Sequence, residues 1–196
     1  MILDGEKERQ KLIVMRPYQV YATEKVIEQL RKHVFGTDPQ EVGYIWHTTG
    51  SGKTISSFKT AWLASRLPNV NKVIFVVDRK ALTKQTYDNY HAYDPDATDE
   101  GLGIVADTKN TRDLYKKLSS TSSNHNIIVT SIQKLGELAS RKRFQPFQKN
   151  VVFIVDEAHR STNGETVELV KKKFPLSAWV GYTGTPVFKG DLTYQV

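Results

Sequence analysis

The 196-residue sequence lacks cysteine altogether, which excludes a domain held together by disulfide bonds. It also lacks an Asn-x-Ser/Thr glycosylation acceptor and any signal-peptide pattern. Its longest uninterrupted apolar runs, at residues 73–77 and 151–155, are five residues each, which is far too short to cross a membrane. These absences make a cytoplasmic protein the simplest prediction.

The composition supports a single α/β domain, since 39% of the residues are hydrophobic, which is enough for a real core. The net charge of +7 is unevenly distributed: residues 1–100 carry 14 basic and 13 acidic side chains, and residues 101–196 carry 14 basic and 8 acidic ones. The basic second half suits a polyanion such as nucleic acid, although a solvated surface explains the charge equally well. The cations concerned are Lys134, Arg141, Lys142, Arg143, Lys149 and residues 171–173.

A strand, a glycine turn and a helix are predicted in that order between Gly43 and Ser57. In this context Gly-Ser-Gly-Lys-Thr at residues 50–54 is typical of a phosphate-binding loop, whose backbone N–H groups and helix N-terminus attract a polyphosphate. Lys53 would contact the outer phosphates and Thr54 a magnesium ion. His47 stands where the strict pattern has its first glycine. The predicted nucleotide-binding residues are Thr49, Gly50, Ser51, Gly52, Lys53 and Thr54.

Two adjacent carboxylates, Asp156 and Glu157, follow the apolar strand at residues 150–155. Carboxylates at the tip of a buried strand are costly unless a cation compensates them, and Mg²⁺ is the natural candidate. Asp156 would hold the ion, and Glu157 would accept a proton from the water that attacks the terminal phosphate. The alternative is a pair of surface acids with no chemical role.

The alternation of strands and helices along the chain predicts a parallel sheet with helices on both faces. The candidate residues then fall at the carboxyl ends of strands, where open α/β sheets bind ligands. We expect Tyr44, Ile45 and Trp46 to form a buried strand. Two helices are expected to bury stripes consisting of Tyr18, Ala22, Val26, Leu30 and Val34 and of Ile55, Phe58 and Trp62. Residues 1–15 form either an edge strand or the remnant of a longer chain.

The motifs together resemble those of superfamily 2 helicases and translocases. Residues 49–54 (Thr-Gly-Ser-Gly-Lys-Thr), 156–159 (Asp-Glu-Ala-His) and 183–186 (Thr-Gly-Thr-Pro) are similar to motifs I, II and III of that superfamily. Residues 16–19 (Arg-Pro-Tyr-Gln) resemble its adenine-recognition element, and residues 77–82 and 129–133 its motifs Ia and Ib. Within the superfamily, the sequence is most similar to the motor (R) subunit of type I restriction enzymes.

This resemblance implies that residues 16–196 form a RecA-like first motor lobe that uses ATP and Mg²⁺ to move along double-stranded DNA. Gln19 would contact adenine, while His159 and either Thr183 or Thr185 would link the nucleotide to DNA. Arg79, Ser131 and Gln133 would lie near the DNA backbone. The implied partners are methyltransferase and specificity subunits, together with a second motor lobe and a nuclease domain of the same polypeptide.

Two other functions remain open from the sequence. The chain could be the lobe of a DNA-repair or RNA helicase, since Asp-Glu-Ala-His also serves RNA enzymes. It could instead be a nucleotide-binding scaffold that does not hydrolyse ATP. The presence of both Lys53 and Glu157 argues against a scaffold, which needs neither.

Overall fold

The structure is a computed structural model that describes most of the chain. The described residues are 2–4, 11–46, 48, 51–78, 80–97, 103–122, 125–158 and 164–184.

Six strands form one parallel sheet in the described part of the chain, in the order β3-β8-β7-β4-β6-β5. Five of them, β4 to β8, are fully buried, and the continuous apolar sequences of β4 and β7 predict this for those two strands. The strands are β3 (Glu41–Trp46), β4 (Lys72–Val77), β5 (Val105–Ala106), β6 (Ile127–Ser131), β7 (Val151–Val155) and β8 (Ser177–Thr183).

Helices cover both faces of this sheet, which confirms the predicted fold class. Side chains alternate along β4, so Val73 and Phe75 pack against the first three helices, whereas Ile74 packs against the last three. The helices are α1 (Pro17–Lys32), α2 (Lys53–Ala64), α3 (Lys80–Tyr93), α4 (Thr111–Ser119), α5 (Ile132–Ser140) and α6 (Glu165–Lys173).

The first residues form a separate two-stranded antiparallel sheet, β1 (Ile2–Asp4) with β2 (Lys11–Ile13). Ile2 lies opposite Ile13 and Asp4 opposite Lys11. The two strands pair with each other and not with the main sheet, so each is an edge strand of this small sheet. An antiparallel pair needs only a short connection, which explains how so small a segment forms it.

The prediction that β3 is buried holds only for Ile45. Tyr44 is 44% exposed and Trp46 is 52% exposed. β3 is the outermost strand beside β8, and Ile45 points into the core formed with α1 and α2. The aromatic residues point away from that core, so hydrophobicity alone predicted their burial incorrectly.

The predicted helical stripes are partly correct. In α1, Ala22, Val26 and Leu30 are buried as predicted, but Tyr18 and Val34 are exposed. Val34 is exposed because it lies beyond the end of the helix at Lys32. In α2, Phe58 is buried as predicted, while Ile55 and Trp62 are only partly buried. Two cations cover the Trp62 ring, with Lys59 Nζ 4.0 Å and Arg66 Cζ 3.9 Å from its centroid.

Candidate nucleotide-binding site

The carboxyl ends of the strands bring the two main motifs to one edge of the sheet. β3 leads into the phosphate loop and α2, and β7 leads into Asp156 and Glu157. Only β8 separates β3 from β7. Tyr44 of β3 and Ala158, which follows β7, both pack closely against Gly181 of β8. A Cβ added at Gly181 would lie 2.3 Å from Tyr44 Cδ1 and 2.8 Å from Ala158 Cβ.

The phosphate loop enters α2 through Gly52, which has the left-handed φ of 81°. The left-handed conformation favours glycine, and a Cβ on Gly52 would also lie 2.4 Å from Gln19 Nε2, so a side chain there would displace the Gln19 amide. Before it, the Ser51 hydroxyl donates to the Thr48 carbonyl at 2.6 Å. Thr49 and Gly50, also predicted to bind the nucleotide, lie outside the described residues.

Two side chains of α1 form hydrogen bonds with the backbone of this loop. The buried Gln19 amide donates from Nε2 to the Ser51 carbonyl at 2.7 Å and accepts from the Arg16 backbone N–H at 2.8 Å. The Tyr18 hydroxyl donates to the same Ser51 carbonyl, also at 2.7 Å. Gln19 therefore positions the loop, and its contact with adenine stays a prediction. Sequence reasoning missed Tyr18, because its helical spacing indicated a core residue.

Lys53 and Glu157 meet directly, although 104 residues separate them along the chain. Lys53 Nζ donates to Glu157 Oε1 at 2.6 Å. The backbone of Glu157 has a φ of 48°, which is uncommon for a residue with a side chain and is a strain typically found at functional sites. The structure thus brings together the two residues that were predicted to contact the terminal phosphate and its attacking water.

Asp156 directly follows the end of β7. Its backbone N–H donates to the Val76 carbonyl of β4 at 2.9 Å, and its Oδ1 accepts from the Glu157 N–H at 3.0 Å. Burial and then the neighbouring Glu157 carboxylate raise the pKa of Asp156, which the Glu157 N–H and Lys53 offset only in part. A cation beside Asp156 would relieve this cost.

The donors near Asp156 suit Mg²⁺ better than a metal held by protein alone. The described residues contain no group of three or more His, Cys, Asp or Glu side chains that could enclose a metal. Mg²⁺ normally takes one or two carboxylates and completes its shell with water and phosphate oxygens. Thr54, in the first turn of α2, and Asp156 fit that pattern.

Buried hydroxyl groups connect α2 to the elements packed beneath it. The Tyr182 hydroxyl of β8 lies 2.7 Å from Thr60 Oγ1, and the Tyr90 hydroxyl of α3 donates to Ser57 Oγ at 2.9 Å. Ser57 in turn donates to the Thr54 carbonyl at 3.1 Å. Burial raises the pKa of both tyrosines, so both stay protonated. The first turns of the phosphate-binding helix are thereby fixed in position.

The predicted coupling residues are described only in part. Thr183 is buried at the end of β8, in register with Trp46 of β3. The Trp46 indole N–H donates to the Gly184 carbonyl at 3.2 Å, which ties motif III to the strand before the phosphate loop. His159 and Thr185 lie outside the described residues.

The residues predicted to lie near DNA have different surroundings. Ser131 is fully buried, and its hydroxyl accepts the Lys134 N–H as the N-cap of α5, so its side chain has no surface with which to touch DNA. Its predicted position near the DNA backbone stays a prediction. Gln133 is exposed, and its Nε2 donates to the Asp78 carbonyl at 2.6 Å. Arg79 lies outside the described residues.

The comparisons with known proteins agree with this geometry. A family model described as "SWI2/SNF2 ATPase" matches residues 18–196. The chain belongs to this family. A protein of Staphylococcus aureus (strain COL), named type I restriction enzyme SauCOLORF180P endonuclease subunit, is 41% identical over 90% of the chain. The match covers 18% of that relative's length.

Another relative, most of whose length the alignment covers, comes from Mycoplasma pneumoniae (strain ATCC 29342 / M129 / Subtype 1). Its name describes it as the C-terminal part of the putative type I restriction enzyme MpnIIP endonuclease, and it is 40% identical over 83% of this chain and 80% of its own length. Among solved structures, the Sulfolobus solfataricus SWI2/SNF2 ATPase core in complex with dsDNA aligns with a TM-score of 0.61. That alignment has 18% identity and covers 89% of this chain and 32% of the solved chain, so it supports the fold alone.

In the described part of this chain, no helix has the length and apolarity to cross a membrane.

Proposed function

We propose that this chain is the first motor lobe of a double-stranded DNA translocase, in the restriction subunit of a type I restriction enzyme. The observation that carries the proposal is the 2.6 Å contact between Lys53 and Glu157 beside Asp156. A scaffold that only binds nucleotide has no use for a carboxylate held against the phosphate-binding lysine. The names of the similar restriction enzymes favour DNA over RNA as the nucleic acid along which the motor moves.

The Lys53–Glu157 ion pair suggests how binding prepares the site for catalysis. A terminal phosphate that binds Lys53 competes with Glu157 for the ammonium group. Once Lys53 turns to the phosphate, the Glu157 carboxylate would orient a water molecule and accept its proton. The left-handed backbone at Glu157 is part of the local geometry in which its side chain meets Lys53.

The remaining groups position the nucleotide. Thr54 and Asp156 would hold Mg²⁺, which supplies positive charge between the phosphate oxygens when it is bound. Tyr18 and Gln19 fix the Ser51 carbonyl, so the loop N–H groups are oriented before the phosphates arrive. Gln19 would contact adenine with an edge of its amide.

The partners proposed for the whole protein are duplex DNA, the methyltransferase and specificity subunits, a second motor lobe and a nuclease domain in the same polypeptide. The second lobe would supply the cation that completes charge stabilisation on the phosphoryl group. Thr183 and, by resemblance, His159 and Thr185 would couple the nucleotide to DNA. The proposed location is the cytoplasm.

The test is steady-state ATPase activity of the full-length restriction subunit with linear duplex DNA, single-stranded DNA or RNA. We expect duplex DNA to stimulate turnover most strongly, and the Lys53→Ala variant to show no stimulation with any of them. Stimulation by RNA instead would assign an RNA helicase. ATP binding without turnover under every condition would assign a scaffold.

A further inference from the structure

The loop after α5 and the last turn of α6 carry five basic side chains, and both segments lie at the edge of the sheet opposite the phosphate loop. Because each helix runs back antiparallel to the strands, the ends of α5 and α6 reach the amino ends of the strands. The loop after α5 and the last turn of α6 therefore lie far from Asp156. We call this group the basic edge: Arg141, Lys142, Arg143, Lys149 and Lys172.

Contacts between the loop and α6 make the basic edge one surface. Lys173 Nζ donates to the Phe144 carbonyl at 2.7 Å, and the Phe147 N–H donates to the Lys173 carbonyl at 2.8 Å. The Phe144 and Phe174 rings pack with centroids 5.7 Å apart. The loop backbone is thus fixed to the end of α6, and the side chains of Arg141, Lys142 and Arg143 remain exposed.

The positive charge of the basic edge is not neutralised within the described chain, where none of its five cations pairs with a carboxylate. The cations of α1 differ, since Lys25 and Lys32 both pair with Glu28. This positive charge also affects a neighbouring group, Lys72 at the start of β4. Burial is the main cause that lowers the pKa of Lys72 to about 8, and the charge of Lys149 is the second cause. A surface with this potential attracts an anionic partner.

The surface chemistry favours nucleic acid over a protein partner. Protein interfaces usually contain exposed aromatic or aliphatic anchors, whereas surfaces that bind DNA are polar and strongly positive. In the described residues, the exposed large apolar side chains lie between Val14 and Trp46, with the exception of Tyr115. Tyr115 borders the basic edge, where its ring lies 6.1 Å from that of Phe144.

We propose that the basic edge is a second binding surface for duplex DNA, separate from the edge that carries the helicase motifs. The choice of DNA as the polyanion rests on the proposed function. The two edges are one strand length apart, about 17–20 Å, so a straight duplex along the motif edge does not reach the basic edge. The surface binds the phosphate backbone of a different DNA segment without selecting sequence.

The test uses the full-length restriction subunit with Arg141→Glu, Lys142→Glu and Arg143→Glu combined. Affinity for a short duplex is measured from low to moderate salt, in parallel with affinity for a fluorescent ATP analogue. The matched control reverses three exposed cations on α1, Lys25→Glu, Arg31→Glu and Lys32→Glu, which changes the net charge by the same amount. Loss of three phosphate contacts should reduce the magnitude of the salt slope by about 2.7 and DNA affinity at low salt by at least about tenfold.

The expected result is this loss in the loop variant, a much smaller loss in the α1 control and unchanged ATP-analogue binding in both. Equal losses in both variants would overturn the proposal, because net charge alone would explain them. Normal DNA binding with loss of association with the methyltransferase subunits would also overturn it and identify a protein partner. A wild-type protein that binds DNA but neither binds nor hydrolyses ATP would contradict the proposed function instead and leave the DNA result interpretable.

Discussion

The two edges of the central sheet carry charge in different ways. At the carboxyl edge, Lys53 is paired with Glu157, Asp156 is partly buried, and a strained backbone fixes the geometry. At the amino edge, the cations of the loop after α5 are exposed and unpaired in the described structure. Sheltered, paired charges suit chemistry at one position, whereas exposed, unpaired charges suit attraction of a polyanion over a wide surface.

This comparison separates two roles that the sequence alone does not separate. The excess of basic residues after residue 100 suggested a polyanion, and the helicase motifs suggested DNA, but the sequence does not show whether both belong to one surface. The chain direction places them at opposite edges, because residues after a strand lie at its carboxyl end and residues after the next helix lie at the amino end. Variants at the two edges should therefore affect different measurements.

The largest effect is expected from Lys53→Ala at the carboxyl edge. The change removes the positive charge that faces the outer phosphates and the ion pair between Lys53 and Glu157. Binding of Mg-ATP and turnover should both be lost, while DNA affinity at low salt should change little. Titration with a fluorescent ATP analogue provides the measurement, and undiminished affinity would contradict the phosphate-loop assignment.

Glu157→Gln should abolish turnover while preserving binding. The amide has nearly the same shape but cannot accept a proton, and general-base catalysis is worth about 10²- to 10⁴-fold in rate. Single-turnover hydrolysis in the full-length protein, measured beside ATP-analogue binding, separates the two effects. Equal loss of binding and turnover would mean that Glu157 has only a structural role.

Gly52→Ala should weaken nucleotide binding and stability together. The left-handed conformation costs a residue with a side chain about 1–2 kcal/mol, and the new Cβ would push the Gln19 amide from the Ser51 carbonyl. Thermal unfolding and ATP-analogue binding measure the two parts. Adding Gln19→Ala removes the clash but not the strain, so full recovery in the double variant would show that backbone conformation is unimportant.

The Lys72→Met variant tests whether the buried Lys72, at the amino edge of the sheet, makes the folding stability depend on pH. The pKa of Lys72 is about 8 in the folded protein and 10.5 as its ordinary value, so the unfolded chain binds more protons between these values. The wild type should gain stability as pH rises from about 8 to 10.5, whereas below about pH 8 the cost of the buried charge is constant. The Met variant should lack this rise in denaturant titrations, and ATP-analogue binding should be unchanged. An identical pH profile in both proteins would exclude Lys72 as the cause.

The smallest effect is expected from Tyr182→Phe. Removing this hydroxyl breaks the bond to Thr60 on α2, worth about 0.5–1.5 kcal/mol, without opening a cavity. If the bond positions the phosphate-binding helix, ATP affinity should fall about threefold to tenfold. Tyr115→Phe, at an exposed position, is the control and should behave as the wild type. Unchanged ATP affinity in Tyr182→Phe would show that the hydroxyl only fills the core.

The sequence alone predicted the fold class and the edge of the sheet at which the candidate site residues lie. Continuous apolar runs such as residues 73–77 have one common solution, a strand buried on both faces, and a glycine turn before a helix has few alternatives. For the same reason, Lys53, Asp156 and Glu157 could be assigned to one edge of a parallel sheet before their distances were known. Each of these inferences depends on local pattern and chain direction.

Only the tertiary structure decided which neighbours the remaining residues have. Tyr18 and Gln19 hold the Ser51 carbonyl, Ser131 caps a helix beneath the surface, and Tyr44 and Trp46 are exposed because β3 is the outermost strand. Helical spacing and hydrophobicity do not specify strand order or which side of a helix meets a loop. Contacts between residues far apart in sequence determine these features. They also determine the separation of the carboxyl edge of the sheet from the basic edge.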